Sequence, residues 1–556
     1  METKLVIGAD FGSDSVRAIV VNAITGETNG EAVCAYPRWA EGKYCEPENY
    51  QFRQHPLDYL ESFEKCVKQA VLACGPSAGE HVYAISVDTT GSTPCPVNRE
   101  GVPLALLDEF HENPNAMFHL WKDHTAIKEA QEINDRLSNF HGVDYLKFQG
   151  TYSSEWWWAK ILHTSRIDPR VKEAAWSWVE HSDWIPAVLT HRTDPLAMYR
   201  CSCAAGHKAL WNSEFNGLPP TDCLSSIDPY LGVVTRHYGS GPQNAGTCLG
   251  TISKEWADKL GISEKTVVGG SSFDAHAGAV GAGIKPTTLV KVVGTSTVDM
   301  LIEKYDNLKG KNLKQLCGQA EDSIIPGYVG IEASQAAFGD IFAWLRKTLM
   351  WPTHNILNHT SLITDEQKEK LTEELQEKMI STLEKNIHSV PEVSSIVALD
   401  WFNGRRYPNI NETLQSGIYG LKLGTEAPDI FEALSMAACF GSKTIFDSLV
   451  SAGIEIKEII AVGGIARKSS YSMQLMADVL NRPIHISAAT QACARGAAIY
   501  ASVAAGIYPS IPEAQAHICE DYITNYYPRE EYVVAYAKTY EKFLKFGNFV
   551  EFGGQQ

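Results

Sequence analysis

The chain has 556 residues, more than one hydrophobic core accommodates, so two large domains are the expectation. Its 44% hydrophobic and 21% charged residues are ordinary for a globular protein, and a net charge of −18 argues against nucleic-acid binders and ligands of anionic membrane surfaces. A nucleotide remains compatible, held by local amides, helix ends and a metal rather than by a global field.

The N-terminal METKLVIGAD enters a strand at once, with no basic leader or apolar signal core, and no run approaches the length of a membrane span. Thirteen cysteines are scattered without a C-x-x-C pair, and Cys201-Ser-Cys203 has the wrong spacing for a zinc site. A cytoplasmic protein with reduced, mostly buried thiols is expected.

Two apolar β-rich runs over residues 4–21 flank the loop Asp10-Phe11-Gly12-Ser13-Asp14-Ser15. An amphipathic helix is predicted over about Pro56–Ala73, then a strand near Val82–Val87 that ends in Asp88-Thr89-Thr90-Gly91. Alternating strands and helices argue for a layered α/β domain. Residues 110–240 carry Trp121, Trp156-Trp157-Trp158, Trp176, Trp178, Trp184 and Trp211 and read as a helical insertion over a substrate pocket, with most tryptophans serving as core filler. The strand Thr266–Gly270 leads through Ser271-Ser-Phe-Asp274 into an Ala/Gly-rich helix, and Ile284-Lys285-Pro286 closes the domain.

The opening pattern then returns as LVKVV, Gly294-Thr295-Ser296-Thr297 and VDMLI. Residues 363–388 form a charged helix with several i,i+4 pairs, assigned to solvent and to no chemistry. A helix near 428–452, the strand Glu458–Val462, the turn Gly463-Gly464, a helix over roughly 468–480 and a tyrosine-rich helix over about 529–545 complete the chain.

Two hairpins with glycine and hydroxyl tips suggest related domains gripping one polyphosphate, because a glycine tip lets backbone N–H groups approach anionic oxygens. Either tip alone is equally ordinary turn chemistry. Asp10, at a strand end, is placed to hold a hydrated Mg²⁺. Asp274 reads as a helix N-cap whose helix end keeps the carboxylate ionised and able to accept a proton from a substrate hydroxyl. Gly463 and Gly464 allow a flat adenine to lie against the backbone. Gly75-Pro-Ser77-Ala-Gly79 is a chance match to a hydrolase elbow, since a helix precedes it and a strand follows. Gly278-Ala-Val-Gly281-Ala-Gly283 is helix-packing glycine rather than a dinucleotide loop.

Taken in order, Asp10-x-Gly12 with Arg17, Phe273-Asp274 with Gly278, Gly294-Thr295-Ser296 and Gly463-Gly464 resemble the FGGY carbohydrate kinases. The resemblance covers nearly the whole chain. It implies two actin-like (ribonuclease H-like) ATPase domains, residues 1–285 for sugar and base and 286–556 for nucleotide, with an interdomain cleft that closes by a hinge. Long strings such as NPNAMFHLWKDHTA and LDWFNGRR are similar to the members that phosphorylate L-ribulose at its terminal hydroxyl in L-arabinose catabolism. D-ribulose, xylulose, or a non-catalytic sugar sensor remain the alternatives.

Carried over, the resemblance makes Asp274 the general base and places Lys208, Asp274 and Glu332 on the sugar. Gly12, Ser13, Ser15, Gly294, Thr295, Ser296, Gly463, Gly464 and Ala466 fall on ATP, and Asp10 on Mg²⁺ through water. Arg17 buttresses the first hairpin, and Cys95 is a pocket-edge position that tunes ketose preference. Ser469 stands where the family commonly has Asn, which puts that nucleotide contact in doubt. The expected partner is a small ketopentose, with no nucleic acid or membrane; a homodimer is left open.

Overall fold

A computed structural model describes residues 4–239, 241–387 and 395–553. The chain forms two compact units: Met1–Pro286 with Met300–Glu332 and Ala488–Asp521, and Thr287–Asp299 with Ala333–Ser487 and Tyr522–Gln556. The end of the first unit's leading segment lies close to the expected break at 285/286, and two later segments return to that unit. The reason is packing: the helix Ala492–Ala504 lies on the first sheet, and the strand Gly318–Glu321 lies on the helix Ser202–His207.

In the first unit, six strands run in the order Cys248–Thr251, Val267–Phe273, Val82–Thr89, Leu5–Phe11, Ser15–Asn22 and Thr28–Ala35. The opening run folds as the expected antiparallel hairpin, and its first strand is wholly buried. Side chains alternate across a strand. Leu5, Ile7, Ala9 and Phe11 therefore pack on Tyr59, Phe63 and Val67 of the helix Pro56–Ala73. Phe11 stacks on Phe63 with ring centroids 5.2 Å apart.

The even positions, Asp10 among them, face the other side of the sheet, covered by Ala492–Ala504 and Asp274–Gly281. Those two helices meet through glycine: a Cβ on Gly281 would lie 2.0 Å from the Ala492 carbonyl oxygen, and one on Gly496 would lie 1.8 Å from that of Ala277. Gly278 and Gly281 are thus packing residues, as expected, whereas Gly283 lies beyond the helix with φ of 88° and serves the turn that follows it. Gly496→Ala is expected to cost about 1–3 kcal/mol of stability by overpacking, read as a lower denaturation midpoint.

The segment 110–240 does hold helices, including Ile127–Leu137, Trp157–Ile167, His181–Thr190 and Pro229–Arg236. Trp157, Trp158, Trp178 and Trp184 are fully buried core. Cys95 corrects the sequence reading. It sits in the strand Pro94–Val97 with no exposure, within the core that holds Phe118 and Trp184, and therefore lines no pocket edge.

In the second unit, Thr288–Val293, Glu458–Val462 and Ile484–Ser487 pair in parallel, and Tyr522–Tyr526 adds an antiparallel edge. The second hairpin joins Thr288–Val293 to Thr297–Glu303. Behind it Lys291 meets Asp299 at 2.6 Å and Ser442 at 3.3 Å, and Ser442 donates to Gln335, which donates to Asp400. Helix Asp365–Lys385 is mostly exposed, with Leu383 buried near its end, and carries Lys370–Glu366 and Lys378–Glu374 pairs. The helix expected over 468–480 forms as Ser470–Leu480, and a short helix, Gly464–Lys468, precedes it where only a turn was expected. Among the described residues no helix is long and apolar enough to cross a membrane.

Candidate active site

Register gathers the carboxylates. Asp10 pairs with Arg17 on one side and Asp88 on the other, and Asp88 pairs with Ser272, two residues before Asp274. Neighbouring strand ends thus present Asp10, Asp88 and Asp274 as a row. Asp10 Oδ2 accepts from Arg17 at 3.2 Å, while Asp10 Oδ1 and both Asp88 oxygens are buried without a hydrogen-bond partner among the described residues. Burial raises the Asp10 pKa against the pull of Arg17; burial and the neighbouring Asp10 charge push Asp88 well up. Burial first, then Asp10, raises Asp274 to about 7.

That value corrects the expectation that the helix end keeps Asp274 ionised. Asp274 is the first helical residue, following Phe273 at the cap, and its Oδ1 accepts from the Ala275 N–H at 2.7 Å. One such bond at the mouth of an eight-residue helix is outweighed by desolvation beside two other carboxylates. The carboxyl is only part-buried by surface exposure, so solvent still reaches it in its crowded setting. Three crowded carboxylates, two of them with orphaned oxygens, and one nearby guanidinium suit a hard divalent cation with oxygen ligands.

The glycine tips also differ from expectation. The Gly12 N–H donates to Ser15 O at 3.0 Å and the Gly294 N–H to Ser296 O at 3.0 Å, so both close their turns and neither is spare for an anion. The residues between them form the open tips, with Asp14 and Thr295 exposed. Ser13 Oγ accepts from Trp121 Nε1 at 2.9 Å, leaving its own proton to give, whereas Ser15 Oγ donates to Asp14 at 2.8 Å. A Cβ on Gly12 would meet the Arg17 guanidinium at 3.0 Å, which ties Arg17 to the hairpin as a buttress.

Lys208 ends the helix Ser202–His207 and is 6% exposed. Its Nζ lies 3.7 Å from Glu332 Oε1, 4.9 Å above the Trp156 ring and 5.8 Å above that of Phe273. Tyr152 donates to the Lys208 carbonyl at 2.6 Å and Trp158 to that of Ala209 at 2.8 Å, so the aromatic run YSSEWWW braces this turn. Glu332 lies on the strand Val329–Gln335 rather than at a helix start, and its charge helps raise Asp274. Lys208, Glu332 and Asp274 therefore belong to one locality of the first unit.

In the second unit Gly463 has φ of 106°, and a Cβ there would lie 2.5 Å from the Val293 carbonyl, whereas the space over Gly464 is open. Ala466 is buried in the helix that follows. Thr295 and Gly294 carbonyls accept from Phe338, Gly339 and Asp340, pinning that tip to the helix Gly339–Leu349. Ser469 caps the helix Ser470–Leu480 by accepting from Ser472 N, and donates to Glu384 at 2.8 Å.

Sequence reasoning missed Asp88 and Trp156. Asp88 was visible at its strand end, but only register shows that it lies beside Asp10.

A family model for the C-terminal domain of the FGGY family of carbohydrate kinases matches residues 289–505. Ribulokinase of Vibrio parahaemolyticus is 41% identical over 98% of this chain and 96% of its own length. The chain belongs to the FGGY carbohydrate kinases, in their ribulokinase group. Ribulokinase of Halalkalibacterium halodurans is 34% identical over 98% of this chain and 94% of its own. Among solved structures, the xylulose kinase of Rhodospirillum rubrum superposes with a TM-score of 0.78 at 18% identity, covering 99% of this chain and 100% of its own. Plasmodium falciparum glycerol kinase with ADP gives 0.76 at 16% identity, covering 100% and 99%. Those likenesses show the shared two-domain actin-like fold. As a kinase of this family, the protein uses ATP to phosphorylate a sugar.

Proposed function

We propose that this kinase transfers the ATP γ-phosphoryl group to the terminal C5 hydroxyl of L-ribulose, yielding ADP and L-ribulose 5-phosphate in cytoplasmic L-arabinose catabolism. The observation that carries the reading is Asp274, set between buried carboxylates and the Lys208–Glu332 pair, with its pKa raised to about 7. A carboxylate so poised accepts the hydroxyl proton through Oδ as the sugar oxygen bonds to Pγ and the bond from Pγ to the β,γ-bridging oxygen breaks. The transition state is loose, so positioning and charge stabilisation account for most of the catalysis. Lys208 donates to sugar oxygens and Glu332 accepts from sugar hydroxyls, fixing which end of the ketose meets Asp274.

Asp10, through water, and Asp88 hold Mg²⁺, which supplies charge neutralisation for the phosphates. Ser13, Thr295 and Ser296 hydroxyls, with the tips that Gly12 and Gly294 close, take the phosphates, whereas the Ser15 hydroxyl stays with Asp14. Gly463, Gly464 and Ala466 line the adenosine side. Water-accessible depth around Asp274 matters for economy, because a bound ketose excludes the water that would otherwise receive the phosphoryl group.

The test is ADP release over L-ribulose, D-ribulose, xylulose, pentitols and glycerol. The highest kcat/KM is expected with L-ribulose. Equal or better turnover of another ketopentose would reassign the acceptor, and the absence of sugar-stimulated turnover with every compound would end the reading.

A further inference from the structure

Behind Lys208 lies a cluster that the kinase reading does not use. Cys203 and His207 are four residues apart on the helix Ser202–His207 and so share a face. His276 reaches them from the helix Asp274–Gly281. Cys203, His207 and His276 are each 1% exposed, and one donor atom from each lies within 4.8 Å of the others. His276 Nε2 is 3.2 Å from His207 Nε2 and 3.5 Å from Glu332 Oε2. A tetrahedral zinc centre spaces its nitrogen and oxygen donors by roughly 3.3–3.5 Å.

The surroundings select the ligand form of His207, whereas burial holds Cys203 as thiol until an ion displaces its proton. Gln149 Nε2 donates to the carbonyls of Gly206 at 3.2 Å and Gln319 at 2.6 Å, so its Oε1 is the acceptor that faces His207 Nδ1 at 3.4 Å. His207 then carries its proton on Nδ1 and presents the Nε2 lone pair inward, the arrangement that outer partners impose on metal-bound imidazoles. His276 Nδ1 is buried without a hydrogen-bond partner among the described residues. Burial keeps both rings neutral. Glu332 is 24% exposed and provides the way in.

We propose that Cys203, His207 and His276, with Glu332 Oε2 as the fourth donor while Oε1 stays with Lys208 and the sugar, form a binding site for a zinc-class divalent cation. Binding converts the Cys203 thiol to a metal-bound thiolate and releases one proton to solvent. Thiolate and carboxylate together balance the dication, and the soft donors separate this site from the all-oxygen preference of Mg²⁺. The sequence signal was present in the Cys203-x-x-x-His207 spacing, not in Cys201-x-Cys203. An ion here would tie the turn of Lys208 to the helix of Asp274 and the strand of Glu332.

The test uses the full chain, stripped with a chelator and held in excess Mg²⁺ without sugar or nucleotide, so its outcome is independent of the kinase reading. Titration with Co²⁺ is expected to give one equivalent with a thiolate-to-metal charge-transfer band and intense tetrahedral d–d bands. Co²⁺ binding is expected to release one proton, and Zn²⁺ to displace Co²⁺ without further proton release and to raise Tm above that of the stripped chain. Cys203→Ala is expected to lose the charge-transfer band, whereas Cys493→Ala, altering the thiol beside Asp10 and Asp88, is expected to keep it. Gln149→Leu leaves every donor in place, guarding against a misfolded ligand variant, and is expected to weaken binding about 10- to 100-fold. A wild type that binds neither ion overturns the proposal, as does a charge-transfer band that survives Cys203→Ala.

Discussion

Asp274→Asn is expected to lower sugar-stimulated kcat by about 10²- to 10⁴-fold, the range for loss of a positioned general base. The amide keeps an oxygen for the Ala275 N–H, so the helix start is preserved while the proton acceptor is lost. The same change is expected to raise Tm at pH 8 in the absence of Mg²⁺. The folded-state pKa of Asp274 lies near 7, above the ordinary aspartate value, so the folded protein holds this proton more tightly than the unfolded chain. Its favourable contribution is complete below pH 4 and is lost as pH rises through 7. At pH 8 the parent must keep a charged carboxylate beside Asp10 and Glu332, and the variant does not. A folded variant with near-parental turnover removes Asp274 as the base; a lower Tm at pH 8 removes the account of its charge.

The same pKa fixes the direction of the pH profile. The base works as carboxylate, so kcat/KM measured at low Mg²⁺ is expected to fall on acidification below about 7, approaching tenfold per pH unit. Saturating Mg²⁺ places positive charge beside Asp10 and Asp88, favours the ionised Asp274 and moves the inflection to lower pH. An inflection unmoved by Mg²⁺ would separate the acid cluster from the base.

Local patterns carried much of this architecture. The apolar β-rich runs Leu5–Phe11 and Glu458–Val462 specify their strands without help from distant chain, and both form as read. What local pattern could not supply was register. Asp88 stands 78 residues from Asp10 in the sequence and becomes its neighbour only through the parallel pairing of two strands. Cys95 failed for a related reason: the resemblance alone placed it at a pocket edge, and only the packing of Phe118 and Trp184 shows it to be core. Three adjacent tryptophans likewise look alike in sequence, yet Trp157 and Trp158 fill the core while Trp156 lies beneath the Lys208 ammonium.

Lys208→Met is the second large effect expected, a loss of about 10²-fold in kcat/KM, with the greater part in KM for the ketose if the ammonium binds ground state and transition state alike. Methionine keeps the unbranched stem between Trp156 and Phe273, so packing survives and the charge alone is tested. Removing that charge takes the ammonium at 3.7 Å away from Glu332, whose charge bears on Asp274. The acid limb of the kcat/KM profile is therefore expected to move to higher pH in the variant, because the Glu332 carboxylate, no longer offset, disfavours ionised Asp274 more strongly. A role confined to holding the turn together predicts a lower Tm with an unmoved acid limb. A role on the sugar predicts the reverse: a parental Tm, a raised KM for L-ribulose with KM for ATP unchanged, and a displaced limb. Arginine at 208 separates charge from shape, since its longer planar head restores the positive charge but not the point of contact. Recovery of the acid limb without recovery of KM would assign the electrostatic effect to the charge and the sugar contact to the lysine itself.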